Sequence, residues 1–381
     1  MFQIFSRWLT RQVYKTLAKP ILFRQAPDTV HEQMIRCGRW LQKTPLGTVV
    51  QLLWPYQNPS VLTQQIGDTT FRNPVGLSAG LDKNARIVPL CQQIGFGFTT
   101  VGSISAQPCS GNPRPWFHRL PKSQSLVVNA GLPNDGVDNI ATHLATVTPL
   151  LSSTFPVIAS IAKTNSPASV SEKDAINDYC ASAQRLAATE GIQVLELNIS
   201  CPNAYGGESF ATPPKLRRLL TALRDADITT PLWVKMPINL PWEEFRQLLD
   251  VICSYSVQAV TIGNLNKNRG ELPSGELPSE VKGNLSGKPT EALSNALIAQ
   301  TYLHYGDRLA IIGVGGIFSA EDAYRKIRLG ASLVELITGL IYQGPQLIGH
   351  INHGLATLLR RDGLGTIGDA VGLDAHTIVK Q

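Results

Sequence analysis

The chain has 381 residues, 43% of them hydrophobic and 16% charged, with 34 Lys+Arg against 28 Asp+Glu for a formal charge of +6. Those proportions describe a filled core, in one large domain with an appendage or in two ordinary domains, and exclude a disordered chain. The positive excess is mild and no Lys/Arg block is interleaved with aromatics, which gives no ground for a nucleic-acid partner. Six scattered cysteines, with neither a CxxC pair nor a matching His spacing, indicate thiols in a reducing compartment rather than a disulfide framework or a metal site.

In chain order, residues 1–26 come first, with five basic residues and no acidic one. Phe5, Leu9, Val13 and Leu17 recur every four positions and predict one face of a helix, with Arg7, Arg11 and Lys15 on the other. That pattern suits a helix lying on an anionic membrane surface. A helix docked on the protein's own body is the equal alternative. No apolar run is long enough to cross a bilayer, and charges interrupt the N-terminus too often for a signal peptide, so the reading is a soluble or peripheral protein. A second helix is predicted from "APDTVHEQMIRCGRWL", with Asp28 as a possible N-cap and Val30, Met34 and Leu41 near one stripe. The stretch "WPYQNPS" (54–60) reads as a linker, which makes residues 1–60 a small helical appendage and 61–381 the main domain.

From about residue 66, short β-rich runs alternate with helical ones. Eight strands are predicted, at 75–79, 98–102, 157–161, 194–199, 232–236, 259–263, 310–314 and 333–337, with helical segments such as 174–189, 214–226 and 242–255 between them. The strands are continuous apolar runs, as parallel strands buried on both faces are. Eight strand–helix units over roughly 300 residues point to a (β/α)8 TIM barrel, with a doubly wound open sheet as the runner-up. A barrel of this kind carries its site at the C-terminal ends of its strands. Those ends read "SAGLDKN", "VGS", "IAK", "NISCPN", "VKMP", "GN", "GVGG" and "TG", all polar or glycine-bearing.

The glycines of "GVGG" (313–316) and "TG" (338–339) follow strands seven and eight, where barrels commonly bind phosphate, and "LSG" (285–287) adds a hydroxyl. Tight turns are the bland reading of any one of them. Lys83 and Lys235 at strand ends one and five suit a carboxylate or the electron-rich edge of a flavin, although most lysines are simply solvated. Asn129, Asn198, Asn203 and Asn264 supply paired donors and acceptors for a planar amide or imide, and each is equally a turn residue. Cys201 follows a strand, precedes the rigid Pro202 and lies between Asn198 and Asn203. A buried structural thiol is the ordinary fate of a lone cysteine. This one is placed to act as a general base, with a nearby ammonium lowering its pKa.

The motifs "FRNPVGLSAGLDKN", "GFGFTTVGS", "LNISCPN", "KGNLSGKPT", "IIGVGGI" and "ELITGLIYQGP", in this order, resemble dihydroorotate dehydrogenase. The N-terminal "PDTVHEQMI" and the "VKGNLSGKP" insertion resemble its membrane-associated, quinone-reducing class. The resemblance implies an FMN-containing barrel that oxidises (S)-dihydroorotate to orotate in pyrimidine (UMP) biosynthesis. A base removes the C5 proton, hydride passes from C6 to the flavin, and a quinone entering between the N-terminal helices takes the electrons. It implies a peripheral location on the cytoplasmic side of a membrane. By resemblance, Cys201 is the base, and Lys83, Asn129, Asn198, Asn203 and Asn264 contact the substrate. Flavin contacts fall on Ala79, Gly80, Lys83, Ser103, Asn198, Lys235, Gly263, Ser286, Gly287, Gly315, Gly316, Thr338 and Gly339.

This chain departs from the pattern around the substrate. Cys replaces the quinone class's Ser base, and "GLPN" (131–134) in a loop one residue shorter resembles the soluble class. Leu265 stands where a hydroxyl residue bonds orotate, Ser160 replaces an Asn near the flavin, and Trp116 takes a position usually held by Arg near the quinone route, flanked by Arg114 and Arg119. Two other expectations therefore stand beside the first: an FMN oxidoreductase of the same barrel acting on another cyclic amide or enone, and a non-catalytic flavin-binding, membrane-associated protein.

Overall fold

A computed structural model describes residues 2–56, 60–201, 210–270 and 272–379. Eight parallel strands close into a barrel: β1 (Val75–Leu77), β2 (Phe98–Ile104), β3 (Val157–Ile161), β4 (Val194–Asn198), β5 (Leu232–Met236), β6 (Val257–Ile262), β7 (Ala310–Val314) and β8 (Leu333–Leu336). Each pairs with its sequence neighbours and β8 pairs back with β1. This is the (β/α)8 barrel expected from the sequence, with every predicted strand in place, and the open-sheet alternative is ruled out. Helices run between strands and bury one stripe each. In Pro213–Asp225 the buried residues are Leu216, Leu219, Leu220 and Leu223, the i, i+3, i+4, i+7 spacing of one helical face. The helix Glu172–Ala187 is capped by Ser171, whose Oγ accepts from the Asp174 N–H at 3.1 Å.

The strand residues alternate between two cores. Those facing outward, such as Val101, Leu195, Val234, Val260 and Val334, pack under the helices. Those facing inward begin with a floor of Phe98, Ile158, Val194, Trp233, Ala259, Ile312 and Leu333. An antiparallel hairpin, Gln64–Ile66 with Thr69–Phe71, plugs this end: Phe71 packs edge-on against Phe98, ring centroids 5.2 Å apart, and lies 6.1 Å from Trp233. Two residues further along six of the strands the interior turns polar, with Thr100, Ser160, Glu196, Lys235, Thr261 and Glu335, all buried. A floor worth about 1.5–3 kcal/mol per buried large side chain supports a polar second layer directly beneath the strand ends.

Two small features were absent from the sequence reading. One is the plug hairpin. The other is a three-stranded antiparallel sheet, Phe117–Leu120, Ser125–Val128 and Asn284–Leu285, over the C-terminal end of the barrel. Their strands are short and partly exposed, which leaves no continuous apolar run to detect.

The N-terminal segment forms α1 (Phe2–Val13), a π-helical stretch (Tyr14–Ala18), α2 (Lys19–Phe23), α3 (Pro27–Leu41) and α4 (Pro45–Leu53). It rests on the barrel through its polar side. Arg7 is buried and donates from Nη1 to the carbonyls of Trp54 and Pro55, and the Tyr14 hydroxyl donates to the Ile341 carbonyl at 2.6 Å. The apolar face, with Phe2, Phe5, Trp8, Leu9, Leu17 and Ile21, is exposed. Asp28 is not an N-cap, which corrects the sequence expectation: Ala26 holds that position, and the buried Asp28 carboxylate accepts from the backbone N–H groups of Trp116 and Phe117 at 3.0 and 3.3 Å. It thereby ties α3 to the sheet over the barrel. Among the described residues no helix is long and apolar enough to cross a membrane.

Candidate active site

A hydrogen-bonded chain crosses the C-terminal rim of the barrel. Asn264, just after β6, donates from Nδ2 to the Ser200 Oγ at 2.6 Å and to the Ser200 carbonyl at 2.9 Å. Ser200 Oγ donates to Asn198 Oδ1 at 3.2 Å, and Asn198 Nδ2 donates to Ser103 Oγ at 2.8 Å. Ser103 Oγ in turn lies 3.2 Å from Ser160 Oγ. Four strand ends are joined by short polar side chains that orient one another, and most of their capacity is met inside the protein.

Cys201 follows this chain directly and is half-buried. Two groups feel its charge. One is the buried Lys163, whose ammonium donates to the Ser169 carbonyl at 3.3 Å; burial lowers its pKa, while Asp178 and Cys201 act in the opposite sense. The other is Tyr179, whose hydroxyl donates to the Asn198 carbonyl at 2.8 Å and whose pKa is pushed up by burial and then by the thiol. A thiol with an ammonium in electrostatic reach has its thiolate favoured. Pro202 and Asn203 lie outside the described residues.

A cavity on the same rim is lined by Ala79, Lys235, Gly263, Asn264, Leu265, Ser286, Gly287, Gly315, Gly316, Thr338 and Gly339. Ser286 and Thr338 hydroxyls lie 2.9 Å apart, and Lys235 Nζ donates to Ser78 Oγ at 3.3 Å. Gly315 and Gly316 have φ of +103° and +73°, and a Cβ on Gly315 would fall 2.2 Å from Thr290 Oγ1, so this wall is open only as glycine. Hydroxyls, bare backbone and an ammonium around one cavity fit a group that carries a phosphate and an electron-rich ring, as FMN does. Gly80, Lys83, Ser103 and Asn198 do not line this cavity.

Lys83 instead borders a second cavity, of about 490 Å³, between α3 and the barrel. Its position is set by Asp82, whose buried carboxylate accepts from the N–H groups of Arg86 and Ile87, both at 2.7 Å. Lys83 Nζ sits 5.3 Å from the Phe117 ring centroid and 3.4 Å from His31 Nε2. Burial holds its pKa down to about 8 and that of His31 down to about 3. Trp116 keeps its indole N–H on the Asn112 carbonyl at 2.7 Å. The Arg114 guanidinium stacks 4.4 Å from its ring while pairing with Glu32 of α3 at 2.5 Å. Arg119 donates to the Gln25 carbonyl at 2.7 Å and so pins the end of the N-terminal segment. Asn129 begins the shortened loop, and its Oδ1 accepts from Asn112 Nδ2 at 3.1 Å.

Sequence reasoning passed over Ser200, Lys163, His31 and Asn112. Ser200 was visible as the serine inside "NISC", and Lys163 as the last residue of "IAK". His31 and Asn112 reach the rim from segments with no strand-end signal.

The sequence profile of the dihydroorotate dehydrogenase family matches residues 61–359. The dihydroorotate dehydrogenase (quinone) of Haloarcula marismortui is 36% identical over 360 residues, covering 94% of this chain and 98% of the relative. That of Deinococcus deserti is 35% identical over 372 residues, covering 95% and 100%. Among solved structures, the DHODH of Eimeria tenella in complex with ferulenol aligns with a TM-score of 0.78 at 28% identity, over 91% of this chain and 95% of its own. The chain therefore belongs to the dihydroorotate dehydrogenase family, whose members are FMN-dependent oxidoreductases.

Proposed function

We propose that this protein oxidises (S)-dihydroorotate to orotate for pyrimidine (UMP) biosynthesis and passes the electrons to a membrane quinone, with Cys201 as the base. The observation that carries the reading is the Asn264–Ser200–Asn198 chain, which fixes the strand end bearing Cys201 beside the glycine-lined cavity. FMN, when bound, supplies the two-electron acceptor for the hydride leaving C6 and delivers those electrons to the quinone. The chain's own residues do the rest. Cys201, as thiolate, takes the proton from C5. Asn198 and Asn264, with Asn129 and Asn203, read the amide and imide edges of the substrate. Lys83 faces its carboxylate. Ala79, Gly263, Ser286, Gly287, Gly315, Gly316, Thr338 and Gly339 hold the cofactor with Lys235 at its ring, and Gly80, Lys83, Ser103 and Asn198, which lie outside that lining, are assigned to it by the family resemblance alone.

The names of the relatives support the quinone as acceptor. The outward apolar face of α1 and α2 supports access from a lipid surface, so the proposed location is peripheral, on the cytoplasmic side of a membrane. The barrel is taken as residues 61–381 and the membrane-contacting segment as 1–60. Anaerobic incubation of the holoprotein with dihydroorotate and a soluble quinone tests the activity: orotate and quinol formed in equal amounts uphold it, and quinone left oxidised refutes it.

Leu265 favours a second reading, a different cyclic amide as substrate, because it lines the cavity beside Asn264 without offering a hydroxyl. Leu265→Thr distinguishes the two. Weaker orotate binding in the variant shows that Leu265 itself serves orotate and supports the first reading, and tighter binding shows that the native pocket lacks a group orotate needs and supports the alternative.

A further inference from the structure

Within the eight barrel strands, ionisable side chains occur at three positions: Glu196 on β4, Lys235 on β5 and Glu335 on β8. All three are buried, at 0, 5 and 0% exposure. Of the remaining strands, β2, β3, β6 and β7 present Thr100, Ser160, Thr261 and Val314 at this level, and none of the five adds a charge. Glu196 Oε2 accepts from Thr261 Oγ1 at 2.6 Å and Glu335 Oε1 from Thr100 Oγ1 at 2.5 Å. The other oxygen of each, Glu196 Oε1 and Glu335 Oε2, is buried without a hydrogen-bond partner. Ser78, which accepts from Lys235, also faces Glu335.

Two carboxylates against one ammonium leave this enclosure with one uncompensated negative charge, which a dry interior does not tolerate. One retained proton makes the cluster neutral. Glu335 is pushed up to about 7, first by burial and then by the Glu196 charge, with Lys235 pulling it back.

We propose that Glu196 and Glu335 share one proton beneath Lys235, and take up a second from solvent when the FMN bordered by Lys235 is reduced. The inference rests on the reading that Lys235 lies at the cofactor ring. Hydride transfer brings two electrons and one proton, and so adds one negative charge to the bound group. Before reduction, Lys235 and the singly protonated pair sum to zero. Afterwards the added charge is balanced by Lys235, and the pair is neutral with two protons. Glu196 and Glu335 are positioning residues here: they act on the cofactor's charge through Lys235 and touch neither substrate nor the reacting atoms.

The test uses the holoprotein. Infrared spectra near neutral pH should show a carboxylic-acid C=O band that shifts in D2O and is lost in Glu335→Gln. Spectroelectrochemical titration should give a midpoint potential whose pH slope corresponds to two protons per two electrons in the wild type and in Glu335→Gln, where Glu196 alone takes up the proton, and to one when both glutamates are replaced by glutamine. Glu196→Gln, equally isosteric, should likewise lose the band of the oxidised state and keep the two-proton slope, and the wild-type slope keeps the test available if a variant fails to fold. A wild type without the band overturns the shared proton. A band with a wild-type slope of one proton per two electrons, or with a two-proton slope that survives replacement of both glutamates, overturns the linkage. Lys235→Met separates this from the cofactor assignment: a potential unmoved by that change, with the band intact, refutes the placement of Lys235 at the ring.

Discussion

Lys83 Nζ stands 3.4 Å from His31 Nε2, and this contact joins α3 of the N-terminal appendage to the loop after β1. An ammonium has no lone pair, so Lys83 donates and His31 accepts, which places the imidazole proton on Nδ1. The neutral ring follows from burial and from the neighbouring charges of Lys83 and Arg114. The appendage is therefore part of the wall of the cavity that Lys83 borders.

A pH dependence follows from Lys83. Its pKa is lowered to about 8, so it is charged below that value and neutral above it. If it faces the substrate carboxylate, kcat/KM for dihydroorotate should fall as pH rises through about 8, mainly through KM. Lys83→Met should bind poorly at all pH values and lack this limb. The effect on stability has the opposite sense: the folded state binds this proton less well than the unfolded chain, so the site's contribution to stability rises between about pH 8 and the ordinary lysine range.

Lys163 provides a second expectation. Its ammonium favours the Cys201 thiolate, so Lys163→Met should move the acid limb of the rate of flavin reduction to higher pH by about one unit, while saturating rates at high pH are nearly recovered. A limb that stays in place, measured by stopped-flow across pH, would remove Lys163 from the account.

Ser200 is buried and is the hinge of the rim chain, donating to Asn198 and accepting from Asn264. Ser200→Ala leaves both carboxamides short of a partner, at about 1–3 kcal/mol, which corresponds to roughly a 5- to 150-fold loss in orotate affinity. Calorimetric titration with orotate checks this, and unchanged affinity would show that the chain does not organise the ligand.

On α1, Phe5 and Trp8 are exposed, at 56 and 49%. Replacing both with Glu should abolish co-sedimentation with anionic vesicles. The melting temperature should stay nearly the same, because exposed positions seldom contribute more than about 0.5 kcal/mol. Undiminished vesicle binding would assign the apolar face to another purpose.

The barrel was legible because both faces of its strands are buried and each one appears as an unbroken apolar run. The strand-end residues were legible for the same reason, as the polar termini of those runs. What escaped was anything that depends on register between distant strands. Glu196 in "VLELN" and Glu335 in "LVEL" each look like one charge in an apolar strand, and only the closed barrel brings them to one level. Amphipathicity on α1 was plain, but periodicity does not say which face meets the protein. Arg7 turned inward because two backbone carbonyls near the end of α4 needed donors. Asp28 looked like a cap because capping is local, whereas its carboxylate serves strand amides almost ninety residues away in sequence.

The most direct measurement is the anaerobic mixing of purified holoprotein with dihydroorotate while the visible flavin band is followed. Rapid bleaching in the native protein, slowed by at least about a hundredfold in Cys201→Ala, is the expected result for a thiolate base at this position. A flavin that stays oxidised in the native protein contradicts the proposed substrate, and undiminished bleaching in Cys201→Ala contradicts the proposed base.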